Sequence, residues 1–370
     1  MALRNLKCLI VLVLAGCSSS VKPVAFSAQP LKPTELNHLY VVKSNFVKGG
    51  VDRVDLVEGK IFNKTLPAQA DAVARWDFRQ NQLLVLNRQA GNHLTIASPD
   101  FETVSQVAFP ELSNPYDIVP FGDHLAHVSF LNGDRVRLFN LLTGKDIGPG
   151  IDLSEWNDAD GKPESAFLQA YGLRLFVSLQ QLDAATYRPS GDGVLVVADR
   201  ESGEIDRAST RKLLFRNPSI EFKAFEQDLF LAGSGVVNLA APLELDGGIE
   251  RLWAPDGRSK GAVITEAELG GDIQDFEILT FTQAVAIVGT PDSKVVLFNP
   301  ETGKRVGEDL LPSGPNRYSH VLADRARQLF YVTDRLDSDP SIRVFDFSGK
   351  EKPEHRIRFD LPPFKMVLAP

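Results

Sequence analysis

An all-β ring of seven four-stranded antiparallel blades, a β-propeller closed by its C-terminal strand, is the fold class this sequence predicts. Three observations predict it. Seven short apolar, β-branched runs recur along the chain, each is followed by a second strand that ends in a polar turn, and each is preceded by a further strand. The fourth strand of each blade is the outer edge that such an architecture adds.

The seven runs are HLYVVKS from His38, QLLVLNR from Gln82, HLAHVSF from His124, LRLFVSL from Leu173, DLFLAGS from Asp228, AVAIVGT from Ala284 and QLFYVTD from Gln328. Their starts lie 44, 42, 49, 55, 56 and 44 residues apart, close to the length of one blade. The following strands are RVDLVEGK (53–60), LTIASPDFE (94–102), RVRLFNLLTGK (135–145), VLVVADRESGE (194–204), IERLWAPDGR (249–258), KVVLFNPETGK (294–304) and IRVFDFSGK (342–350). Gly59, Gly144, Gly203, Gly257, Gly303 and Gly349 sit where a tight turn needs positive φ, which glycine enters without a Cβ penalty.

Ahead of the runs come DAVARWD (71–77), YDIVPF (116–121), SAFLQAY (165–171), SIEFKAF (219–225), DFEILTF (275–281) and SHVLAD (319–324). That is one short. The strand missing before His38 is supplied by FKMVLAP, residues 364–370, so the first blade is completed from both chain ends. Blades four and five carry insertions at 181–193 and 237–248, both between the second and third strands. Loops at that position rim the central channel, and insertions cluster where binding does.

The first residues carry a different message. Arg4 and Lys7 precede an apolar run, Cys8–Ala15, which is followed by small residues, the layout of a secretory signal. Spanning a bilayer takes about 20 apolar residues, so this run is a targeting segment. Leu14-Ala15-Gly16-Cys17 resembles the lipobox of bacterial lipoproteins. That resemblance implies that residues 1–16 are removed, that the Cys17 thiol receives a diacylglycerol, and, with Ser18 next in line, that the protein is sorted to the outer membrane of a Gram-negative cell. Residues 17–36 then read as an acylated, proline-bearing tether and 37–370 as the propeller. Only Cys8 and Cys17 are present, so the mature chain has no disulfide.

Loss of residues 1–16 removes Arg4 and Lys7 and no acid, taking the formal charge from −8 to −10. An acidic surface without a basic cluster excludes nucleic acid as a general partner. The alternation of LFYVTD with SIRVFDFSGK, and of AVAIVGT with KVVLFNPETGK, resembles YVTN or YncE-like propellers and, more distantly, quinoprotein-like repeats. It implies the fold and little about activity.

No Gly-x-Ser-x-Gly elbow and no phosphate-binding glycine loop occurs. The three tryptophans are too few for the one-per-blade staple of quinone-cofactor propellers, so no cofactor is expected. His124 and His127, three apart on a strand, point to opposite faces and cannot share zinc. For calcium, Asp334, Asp337 and Asp339 form the candidate group. A second acidic group, Asp158, Asp160 and Glu164, departs from the EF-hand pattern, with Trp156 at its first ligand position and Phe167 at its last. Candidates for the channel face are Asp117, Asp275, His320, Asn87, Arg88, Asn132 and Arg335. Asp117 and Asp275, near the starts of innermost strands, suit either an acid/base pair or a hydrogen-bonded lining of the channel.

Two functions follow from different classes. One is a monomeric lipoprotein, held on the membrane through Cys17, that uses its loop-rich face to bind a protein or a glycan without catalysis. The other is a hydrolase, lactonase or lyase with carboxylates or a divalent cation at the channel top.

Overall fold

The structure is a computed structural model that describes residues 36–89, 91–237 and 244–370. The signal segment and Cys17 lie outside the described residues. Seven antiparallel sheets follow one another along the chain. The first joins the C-terminal strand Pro363–Ala369 to His38–Ser44, then Gly49–Asp55 and the short edge strands Lys60–Ile61 and Leu66–Ala68. Closure is in register from His38 opposite Ala369 to Val42 opposite Lys365, so a single ladder ties the two ends of the propeller together.

The second strand of every blade is buried on both faces: Leu83–Asn87, Leu175–Leu179 and Ala284–Val288 are without an exposed residue. A strand sandwiched between neighbouring blades has no solvent face, which is why these seven runs read as continuously apolar instead of alternating. The core is divided accordingly. Each of the seven blade-to-blade joints holds its own apolar cluster, from Tyr40, Trp76 and Leu83 between blades one and two to Leu39, Tyr331 and Met366 between seven and one.

The turns between third and outer strands repeat one device. Asp55, Asn140, Asp199 and Asn299 each accept the backbone N–H groups two and three residues on. The chain then returns through Gly59, Gly144, Gly203 and Gly303, with φ between 65° and 75°. An Asx turn followed by a left-handed glycine closes the hairpin and satisfies its own donors.

Two strands begin four residues away from where the sequence predicts. The third strand of blade one starts at Gly49 instead of Arg53, because two glycines let it lie against the edge strand: a Cβ on Gly49 would stand 2.3 Å from the Gln69 carbonyl oxygen. The innermost strand of blade five shrinks to Lys223–Phe225, since the chain just before it is held by side chains, Asn217 Nδ2 donating to Ser234 Oγ and to the Gly235 carbonyl.

Candidate functional site

Strands alternate in direction, so the loops joining second to third strands and those leading from blade to blade emerge at one end of the ring. The insertion at 181–193 and the described ends of the one at 237–248 lie there. The second strand of blade one starts at the opposite end, so Leu36 lies away from the loop-rich face.

Beneath that face the innermost strands carry charges into the channel. Arg75 makes a paired contact with Asp117, Nε to Oδ1 at 3.0 Å and Nη2 to Oδ2 at 2.8 Å, and its other nitrogen meets Glu221. Glu221 also takes the Lys365 ammonium at 2.7 Å. Lys223 lies 3.5 Å from Asp275 Oδ1, and His320 Nε2 lies 3.7 Å from Asp275 Oδ2. The Lys365 ammonium faces the Phe167 ring at 5.4 Å. All seven blades thus contribute to one cluster: Lys365, Arg75, Asp117, Phe167, the Glu221 and Lys223 pair, Asp275 and His320.

The backbone holds these side chains in place. Ser129, Ser178 and Thr333, near the ends of second strands, accept the backbone N–H of Asp117, Phe167 and His320 at 2.9–3.0 Å. Asp117 accepts the N–H of Leu168 and Asp275 that of Val321, each in the next blade. The two carboxylates are therefore counterparts that fasten one innermost strand to its neighbour.

Burial sets the charge states. It raises the Asp275 carboxyl, against the pull of Lys223 and the Val321 N–H, and drives His320 well below its ordinary value, with Lys223, Lys365 and Arg75 adding to the effect. The imidazole is neutral, and its Nδ1 has no hydrogen-bond partner. Burial, then Arg75 and Lys223, brings Lys365 down to about 7, while Glu221 at 2.7 Å works the other way.

The other expected residues are dispersed over the loop face. Asn87 accepts the Gln69 N–H at 2.8 Å, and Arg88 pairs with Asp71 below the Tyr116 ring. Asn132 donates to the Leu112 carbonyl at 2.7 Å and lines a cleft of about 690 Å³ with Arg135, Arg137 and Lys162. Asp334 is wholly buried between Arg317 and Arg343, Asp339 pairs with Arg356 and Arg358, and Asp337 is exposed. Among the described residues the acidic group whose ligand atoms gather, all within 4.8 Å, is Asp158, Asp160 and Glu164. Arg75, Glu221 and Lys223 escape a reading of strand starts; their signal is a charge inside DAVARWD and SIEFKAF, whereas Lys365 stands second in FKMVLAP, as Asp117 does in YDIVPF.

The chain matches no protein-family model and no curated protein. Solved structures match it across almost its whole length. The dihydro-heme d1 dehydrogenase NirN, solved in complex with DHE, is 13% identical with a TM-score of 0.58, over 91% of this chain and 75% of its own. AztD from Citrobacter koseri, solved in its apo form, is 15% identical with a TM-score of 0.55 over 90% and 97%. A 6-phosphogluconolactonase-like protein from Bacteroides fragilis is 9% identical with a TM-score of 0.61 over 92% and 100%. At these identities the likeness shows the propeller fold.

Proposed function

We propose that this chain is a lipid-anchored binding module of the bacterial envelope, tethered through Cys17, whose loop-rich face holds a protein or glycan partner without chemical turnover. The observation that carries the reading is the occupancy of the channel carboxylates. Asp117 is bonded by Arg75, Ile118 and Leu168, and Asp275 lies between Lys223, His320 and the Val321 N–H. A general acid/base pair needs a carboxylate within reach of a substrate proton; these two fasten blades together.

The test is cross-linking in intact cells with the acylated protein and mass spectrometry of what is captured. A reproducible partner that is lost when 181–193 and 237–248 are shortened supports the module; a correctly folded, membrane-bound protein that captures nothing counts against it. The gathering of Asp158, Asp160 and Glu164 favours a second reading, a hydrolase or lactonase with a divalent cation. Gently purified protein without metal, and a melting temperature indifferent to chelator, would sink that second reading.

A further inference from the structure

Arg335 stands apart from the other half-buried arginines. Its Nε is buried without a hydrogen-bond partner, and among the described residues its guanidinium has no ion pair. Two rings hold it instead, with Cζ 4.7 Å from the Phe46 centroid and 5.4 Å from that of Phe364. The rings themselves meet edge to face at 6.1 Å and 75°. Its position is fixed from behind by its own N–H, which donates to the Arg317 carbonyl at 2.7 Å.

Phe46 is presented at a cost. It is 62% exposed and held at φ 63°, a left-handed conformation that disfavours a bulky residue by roughly 1–2 kcal/mol. Ser44 Oγ, accepting its N–H at 3.0 Å, and Asn45 Oδ1, accepting those of Val47 and Lys48, impose the turn. Val47 is 81% exposed and Leu336 41%, so apolar surface flanks the cation. Strain that exposes an aromatic ring beside an uncompensated charge points from conformation to function.

We propose that Phe46, Arg335 and Phe364, at the joint between blades seven and one, form a recognition site for a small organic acid whose carboxylate sits on an apolar or aromatic body. The planar guanidinium fork matches a carboxylate in two hydrogen bonds, and the exposed Phe46 ring takes the body of the ligand. Burial lowers the Arg335 pKa and Asp337 only partly restores it; a bound carboxylate supplies the missing counter-charge. The inference goes beyond the binding-module reading: it adds a small-ligand site to the loop-rich face, independent of the protein or glycan partner.

Isothermal titration of the full-length protein in detergent with phenylacetate tests it, with acetate as the charge alone and benzyl alcohol as the body alone. Wild type is expected to bind phenylacetate more tightly than either fragment. Arg335→Gln should weaken that binding roughly ten- to a hundredfold, the worth of one charged contact. Arg335→Lys, with charge but no fork, should fall between, and unchanged melting temperatures show that each variant folds. No saturable phenylacetate binding by wild type, or equal affinity in Arg335→Gln, would overturn the proposal. Equal affinity for acetate would overturn its apolar half. Refusal of phenylacetate by a wild-type protein that still captures its partner in cells separates the failure of this site from that of the module.

Discussion

Leu168 donates its backbone N–H to the Asp117 carboxylate at 3.0 Å, across the joint between the third and fourth blades. Val321 does the same for Asp275 at 2.8 Å between the sixth and seventh. Each N–H comes from the residue just after a channel side chain, Phe167 or His320, so one carboxylate fixes both the joint and the neighbouring channel group. Asp117 is 1% exposed and also holds Arg75. Removing one member of such a buried network leaves the rest uncompensated, at about 3–5 kcal/mol.

Asp117→Ala should therefore lose about that much stability in chemical denaturation. Asp275→Asn should lose distinctly less, because burial already raises the Asp275 carboxyl toward its neutral form and an amide oxygen can still accept the Val321 N–H. Equal losses for the two would mean that the charge on Asp275 matters as much as that on Asp117.

Ring closure makes a second demand. The strand Pro363–Ala369 pairs with His38–Ser44 and contributes Met366 to the joint with blade seven. Deleting Phe364–Pro370 should lower stability by at least about 5 kcal/mol, from several apolar side chains and a whole ladder, and lower the melting of the entire ring in one transition. A truncated protein that melts at the wild-type temperature would show that closure does not limit stability.

Much of this was legible in the sequence because one physical constraint repeats seven times. A second strand buried on both faces must be apolar throughout, so the runs from His38 to Gln328 announce themselves, and so do the turn glycines. The closing strand was legible by counting. The channel was harder. Asp117 and Asp275 are visible as polar strand starts, but what they bind, the N–H of Leu168 and Val321, belongs to the next blade about 50 residues on, and no local pattern records it. Arg75, Glu221 and Lys365 come from three blades and meet only when the ring closes. The isolation of Arg335 is a property of what does not approach it, which a sequence cannot display.

The turn glycines offer a paired comparison. Gly59 and Gly303 have φ of 67° and 65°, and each costs alanine about 1–2 kcal/mol of backbone strain. A Cβ on Gly59 meets nothing within 4 Å, whereas one on Gly303 would stand 2.6 Å from the Val263 carbonyl oxygen in the preceding blade. Gly303→Ala should thus be the more destabilising by a clear margin in urea melts. Equal effects would mean that the joint between blades five and six yields at no cost.

Glu164 gives the ring a pH dependence whose sign can be worked out. Burial, with Asp158 and Asp160 adding repulsion, raises its carboxyl from 4.5 to about 7. The folded protein therefore holds a proton that the unfolded chain releases above 4.5, so this contribution is fully present below that pH and is lost as pH rises through about 7. One oxygen accepts the Leu182 N–H at 2.9 Å, a bond that an amide oxygen can also make. Glu164→Gln should consequently remove part of the decline in stability between pH 4.5 and 7 and leave the protein at least as stable as wild type at neutral pH. If denaturation curves of the two proteins keep a constant separation across that range, the Glu164 carboxyl is not raised, and its charge is balanced within the Asp158 and Asp160 cluster by Lys162 or by a bound cation.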